Sequence, residues 1–345
     1  IAYNALPVGA GPFRVISWQH GDRVVLQANP LYWRGTPAIK RIFYRIIPDP
    51  STRLQQLRTG EADAYLDVDP QLLPQVRTIP SVHVYLTPIA DLHVLRFNLR
   101  EPALRDVRVR RAIAQAIDRK QLLTAATHGS GIIVDGDQPK TGWAFDPRTP
   151  AIRYDPVHAR HLLQLVRGNK PLNVTLAISP AGMNGSTLVA TVLQRDLQQA
   201  GVNATIKSFP PSAFWGPQAA GGILASGKFD LAYDGWWILG PDPDDTFNLA
   251  CDQRPPGGVN YDYWCDPQAD KAMHEALTTV DVAARKRDYA IVQQRRAEQL
   301  PEFTLWQVRM PDAFREGITG VRPSSAGSIF WNAWTWKLQS SPTKG

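Results

Sequence analysis

The stretch from Leu172 to Trp237 limits the fold more than any other part of the chain. "LNVTLAIS" alternates Leu172, Val174, Leu176 and Ile178 at the two-residue period of a strand. "STLVATVLQRDLQQAG" follows with the period of an amphipathic helix and closes at Gly201. "VNATIKSF" is a second strand, and "FDLAYDGWW" is a third after a further crossover segment. Parallel strands need a crossover of this length, and such crossovers are right-handed. The stretch therefore predicts an α/β fold with a parallel sheet. Ligands of such sheets dock beyond the carboxyl ends of the strands. The third strand ends there, in "WWILGPDPDD", where two tryptophans meet a proline-broken acidic turn.

The first hundred residues alternate short strands with turns. "FRVISW" and "RVVLQAN" flank "QHGD", a hairpin signal with Gly21 at the turn. "IKRIFYRII" reads as a strand ended by Pro48, and "STRLQQLRTG" as a short helix capped by its serine or threonine, with Leu54 and Leu57 inward. "ADAYLDV" returns as a strand, so this region predicts a βαβ rhythm. Asp106 is placed to cap a helix whose Val109, Ala112, Ile113, Ala116 and Ile117 form one apolar stripe. A helix in "DPVHARHLLQLV" and a long helical region from about Asp266 to Leu300 complete the middle. The chain closes on "EFTLWQVRMPDAFREGITGVRP", strand-like again. One domain is thus expected to combine both ends of the chain, with the middle as another. Crossings near "LRFN" and "TLWQ" would form the hinge.

The 345 residues, 43% apolar and 20% charged, suffice for two domains with cores of their own. No run approaches the length of a membrane span, and "IAYNALPVGAGPF" lacks the basic and apolar regions of an export signal. The net charge of +7 is spread along the chain. Its densest cluster, "RDVRVRRAIAQAIDRK", reads as a solvated helix face, and no base-stacking or groove-reading motif accompanies it. No nucleic-acid partner is expected. The two cysteines, Cys251 and Cys265, flank a Pro/Gly-rich segment. Either a disulfide closes that loop, or they are two unrelated buried thiols.

Several constellations carry candidate chemistry. His158 and His161 sit three apart on a helix, but no third ligand lies at a useful spacing, so they read as surface histidines. "HGSG" at 128–131 lacks a nucleophile elbow and reads as a flexible loop. Asp242, Asp244 and Asp245 have neither calcium-loop spacing nor a partner base, so no metal, cofactor or catalytic residue is expected. Trp236 and Trp237 differ from these, because strand neighbours point to opposite faces and one indole can line a cleft. Eleven tryptophans occur in all, several of them in loops, including Trp143, Trp215, Trp264, Trp331 and Trp334.

"PVGAGPFRVISWQHGDRVVLQANPLYWRGTPAIKRIFYRIIPDPSTRLQQLRTGEADA" resembles a segment of the family 5 extracellular solute-binding proteins, the dipeptide, oligopeptide and nickel binders that serve ABC importers. "RFNLREPALRDVRVRRAIAQAIDRKQLL", "YDPVHARHLL" and "DPQADKAMHEAL" resemble further hallmarks of that family. The resemblance implies a type II periplasmic-binding-protein fold, two lobes joined by two hinge strands and closing on a ligand. Residues 1–96 plus 305–345 are then lobe I and 97–304 are lobe II, with strand 229–237 as the ligand wall. It also implies that an N-terminal part of the family fold, ahead of "GAGPF", is missing from lobe I. The expected function is that of a monomeric periplasmic receptor passing a peptide-like or other small organic solute to an importer's permease. The alternatives are a ligand-sensing domain of a regulator and, less readily, a hydrolase using the aspartates. An exported family makes the Cys251–Cys265 disulfide the expectation. The implied ligand contacts are Trp236, Trp237, Leu239 and Asp242 in the wall, Arg96 and Asn98 in the first crossing, and Trp306 in the second. Peptide-binding members carry an aspartate for the peptide ammonium where this chain has Leu239. A substrate without a free amine at that point, or a substitute acid such as Asp242, is therefore implied.

Overall fold

The computed structural model describes residues 7, 9–183, 185–237, 242–325 and 328–339, without the side chains of Trp236 and Trp237. Nine principal strands are β1 (Phe13–Gln19), β2 (Arg23–Ala28), β3 (Arg41–Arg45), β4 (Ala64–Tyr65), β5 (Val82–Phe97), β6 (Leu172–Ile178), β7 (Val202–Ser208), β8 (Leu231–Trp237) and β9 (Glu302–Arg315). The principal helices are α1 (Pro50–Thr59), α2 (Val107–Gln115), α3 (Arg119–Thr127), α4 (Pro156–Arg167), α5 (Ser186–Gln199), α6 (Pro267–Leu277) and α7 (Val282–Gln299). The chain divides into two compact units, Ile1–Thr87 with Arg309–Gly345, and Pro88–Val308. It passes from one to the other within β5 and within β9. The divisions between these compact units therefore fall inside the two strands.

In the first unit β1, β2 and β3 form an antiparallel sheet in that order. The turn between β1 and β2 holds Gly21 at φ 77°, a left-handed conformation that a glycine adopts without strain. The βαβ rhythm expected here is not what forms, because β1, β2 and β3 pair antiparallel and β4 pairs antiparallel with β9. Three residues between β1 and β2 are too few for a crossover. After α1 the chain enters β4, which pairs with Ala313 and Phe314 of β9 instead of returning to β3. The cap of α1 is Asp49, not the serine or threonine after it. Its Oδ1 accepts from Thr52 N at 2.7 Å and Thr52 Oγ1 at 2.6 Å. Pro50 at the first helical position leaves the preceding residue as the one able to cap.

The second unit follows the sequence more closely. Its strand order is β9–β5–β8–β6–β7, with β7 and β8 both parallel to β6 and β5 antiparallel to β8. Leu176 and Ile178 of β6 pack with Val189, Leu193 and Leu197 of α5 in the largest apolar cluster. Burying each such side chain contributes about 1.5–3 kcal/mol. Aspartates cap α2, α3, α4, α6 and α7, from Asp106, Asp118, Asp155, Asp266 and Asp281 respectively. The basic face of α2 is only partly solvated. Arg110 is buried, donating from Nε to Leu300 O at 2.9 Å and from Nη1 to Leu104 O at 2.5 Å and Arg105 O at 2.8 Å. It thereby satisfies carbonyls that have no helical partner.

Candidate ligand-binding site

The site is built on the antiparallel pair of β5 and β8. The register sets Asp91 opposite Trp237, His93 opposite Gly235 and Leu95 opposite Tyr233. Strand alternation puts Asp91, His93 and Leu95 on one face of β5 and Leu92, Val94 and Arg96 on the other. The carboxyl ends of β6 and β8 lie at the same edge of this sheet, since the two strands are parallel.

On the first face His93 Nδ1 and the Tyr233 hydroxyl are 2.5 Å apart, and the imidazole lies with its centroid 4.8 Å from Trp306. Burial lowers the His93 pKa to about 4, so the ring is neutral near pH 7. Burial also raises the Tyr233 hydroxyl well above its ordinary value. Beside them, the Asp91 carboxylate has no hydrogen-bond or ion-pair partner among the described residues. Burial pushes its pKa up to about 7, and the like charge of Asp234 adds to the shift. A Cβ added at Gly235 would stand 3.3 Å from Met183 Cε, 3.4 Å from His93 Cδ2 and 3.5 Å from Asp91 Oδ1. A side chain at 235 would therefore crowd Met183 and His93.

The opposite face carries a buried ionic network. Arg96 donates from Nε to Asp234 Oδ2 at 2.8 Å, and from Nη1 to Asp262 Oδ2 at 3.1 Å and Glu302 Oε2 at 3.2 Å. Glu302 also accepts from Arg296 Nη2 at 2.5 Å, and Arg296 Nε lies 3.2 Å from Asp137 Oδ2. Trp215 Nε1 donates to Asp234 Oδ1 at 3.0 Å. Burial raises the Asp262 pKa to about 7 and drives Asp137 and Asp245 upward, against the pull of the guanidinium groups. The three neighbouring carboxylates hold Arg96 firmly charged.

The expected contact residues fare differently. Arg96 turns its Nε and Nη1 donors to the network just described. Asn98 is fully buried, donating to Gly227 O at 3.0 Å and Phe229 O at 2.8 Å while its Oδ1 accepts from Arg100 N. Trp306 is 2% exposed and belongs to the main apolar cluster. Arg96 and Trp306 sit on β5 and β9 and Asn98 directly after β5, all three buried, where polar groups must find internal partners. Asp242 is not a free acid either, since Arg285 donates to its two oxygens at 2.6 and 2.7 Å and holds its carboxyl below the usual range. Asp244 accepts from Thr246, and Asp245 from Asn248. Leu239 and the side chains of Trp236 and Trp237 lie outside the described residues.

Three further expectations can be placed. Cys251 and Cys265 form a disulfide with Cα atoms 4.7 Å apart. His158 and His161 are exposed, and His158 Nδ1 contacts Gln115 Oε1 at 2.9 Å. In the 128–131 loop His128 and Gly129 are exposed while the following two residues pack inward. Ser130 is buried, and a Cβ at Gly131 would meet Leu123 Cδ1 at 2.5 Å and Trp306 Cδ1 at 3.0 Å. Among the described residues no group of three or more histidine, cysteine or carboxylate side chains is arranged to hold a metal. Sequence reasoning passed over Asp91, His93 and Tyr233. The available signal was an acid and a histidine two apart inside the apolar strand "IADLHVLRF".

Comparison with known proteins adds a family to this geometry. Residues 2–257 match the model of the bacterial extracellular solute-binding proteins, family 5 (middle region). A probable di/tripeptide-binding protein 5 of Pseudomonas aeruginosa is 31% identical over 333 residues, covering 94% of this chain and 61% of that protein. The probable ABC transporter periplasmic-binding protein SapA of Escherichia coli is 29% identical over 326 residues, covering 93% and 58%. The chain thus spans about three fifths of the length of these curated relatives. Among solved structures, the dipeptide-binding protein of a Pseudoalteromonas species in complex with Met-Leu aligns at TM-score 0.77 and 25% identity, covering 95% of this chain and 64% of that one. NikZ of Campylobacter jejuni in complex with Ni(L-His) aligns at TM-score 0.80 and 23% identity, covering 97% and 69%, a likeness of fold. With a family match over most of its length, the chain belongs to the bacterial extracellular solute-binding proteins of family 5.

Proposed function

We propose that the protein captures a peptide-like or other small organic solute in the periplasm and passes it to the membrane permease of an ABC importer. It acts as a monomer and without turnover. The observation that carries this reading is the family match over residues 2–257. The names of the relatives, di/tripeptide-binding and periplasmic-binding, support the solute class and the compartment. The Cys251–Cys265 disulfide supports an oxidising compartment over the cytosolic setting of a regulator. Engagement of Asp242, Asp244 and Asp245 by Arg285, Thr246 and Asn248 weighs against their use as a general acid and base.

A thermal-shift screen of the purified protein against di- and tripeptides, free amino acids and sugars tests the proposal, with hits measured by calorimetry. Peptides are expected to bind at one site per chain and to be recovered unchanged. Hydrolysis of a hit, or silence across the whole screen, would overturn it.

A further inference from the structure

One face of the β1–β2–β3 sheet carries more positive charge than its own residues neutralise. The register sets Arg14 and Arg41 on either side of Gln27, Phe43 beside Val25, and Arg23 directly opposite Arg45. Strand alternation puts all of these on the same face, while Ile42 and Tyr44 on the other face turn toward the apolar cluster of Phe314 and Phe330. Like charges set opposite each other in a sheet are destabilising. Glu61 relieves Arg45 at 2.7 Å, and Asp22 lies 3.7 Å from Arg23. Arg14 and Arg41 have no hydrogen-bond or ion-pair partner among the described residues. Phe43, between Arg41 and Arg45 on β3, is 58% exposed. The loop leaving β2 exposes Leu31 and Trp33, and the Arg34 guanidinium stands 4.3 Å over the Trp33 ring. The basic run of α2 differs, because its guanidinium groups are engaged. There Arg108 pairs with Asp106, and Arg110 and Arg111 donate to carbonyls of Leu300 and Glu298.

Unpaired guanidinium groups around exposed apolar side chains fit a surface that is anionic and has an apolar layer beneath its charge. An anionic phospholipid bilayer is built that way. Its headgroups attract arginine, and aromatic rings sit at the headgroup boundary. We propose that the Arg14–Arg41–Phe43 face docks on the surface of an anionic phospholipid bilayer. This docking is separate from solute capture, so the failure of either leaves the other standing.

Co-sedimentation of the purified protein with vesicles at low salt tests it, using phosphatidylcholine alone and an equimolar mixture with phosphatidylglycerol. Binding is expected to the mixture and not to phosphatidylcholine, and it should weaken as salt is raised. Arg14→Gln with Arg41→Gln should weaken it about thirtyfold, since each cation at an anionic surface is worth about fivefold. Phe43→Ser should weaken it as well. Lys170→Gln with Lys207→Gln removes the same charge from exposed positions of the second unit and should leave binding unchanged. Unfolding temperatures of all variants are the control for folding. Equal loss in the two paired variants would trace the binding to net charge and overturn the assignment to this face. Equal binding to the two vesicles, or no binding to the mixture, would overturn it too. Duplex DNA held as tightly as the mixed vesicles would assign the face to polyanions at large. Dimerisation that Phe43→Ser abolishes would assign it to a second copy, and either result overturns lipid docking.

Discussion

Two arginine–carboxylate contacts show how much context decides at the scale of a residue. Arg285 and Asp242 form a bidentate pair, but the aspartate side chain is 48% exposed, so water competes for both partners. Such pairs contribute about 0–1 kcal/mol. Arg96 is 3% exposed and is the shared partner of three buried carboxylates. Removing it takes the shared counter-charge from three buried carboxylates, leaving Glu302 to Arg296 and Asp234 to the Trp215 indole, a loss of about 3–5 kcal/mol. Urea unfolding at pH 7.5 should therefore show a large drop in midpoint for Arg96→Ala and a small one for Asp242→Asn. Similar drops for the two variants would mean that the Arg96 network is not the compact charged cluster described here.

At the scale of an element, the loop between Cys251 and Cys265 carries more than its sequence suggests. Asn260 is fully buried within it and donates from Nδ2 to Leu249 O, Ala250 O and Trp264 O at 2.9, 3.1 and 2.9 Å. Two residues on, Asp262 reaches Arg96. The disulfide closes the same loop and so restricts the segment that delivers this carboxylate. Unreduced, denatured protein should contain almost no free thiol. The paired substitution Cys251→Ser and Cys265→Ser should cost about 3 kcal/mol by the loop-entropy account. A double variant as stable as wild type would show that the hydrogen bonds of Asn260 hold the loop unaided.

For the whole molecule, the buried acids set the pH dependence of stability. Asp91 and Asp262 are pushed up to about 7 and Asp312 to about 6 by burial. Unfolded aspartates titrate near 4, so between about pH 4 and 7 the native state holds protons that the unfolded chain has lost. Stability from these groups is present at the acid end of that window and is lost as pH rises through it. His93, lowered to about 4, acts in the opposite sense between about pH 4 and 6.5, but it is one group against several. Unfolding at pH 6 should release protons on balance, read from the dependence of calorimetric enthalpy on buffer ionisation, and the urea midpoint should fall from pH 6 to pH 8. Net proton uptake at pH 6 would contradict the burial assigned to these carboxylates.

Local patterning was enough to read the βαβ unit from Leu172 to Ser208, the cap at Asp106 and the apolar stripe of α2, because periodicity and capping act over a few residues. The cysteine pair was left open by its loop and became the expectation with the resemblance to an exported family, and the disulfide forms. The antiparallel character of the first unit was not, since β4 finds its partner some 250 residues away in β9. Which charged groups are free was decided entirely by the tertiary structure. "DLHVLRF" presents Asp91 and Arg96 as two ionisable residues on one strand, and nothing local separates them. Folding brings Asp234, Asp262 and Glu302 to Arg96, from positions 138, 166 and 206 residues distant, and among the described residues it brings Asp91 no ion-pair partner. Pairing of buried charges depends on what arrives from remote segments, and that is the information a strand's own residues do not contain.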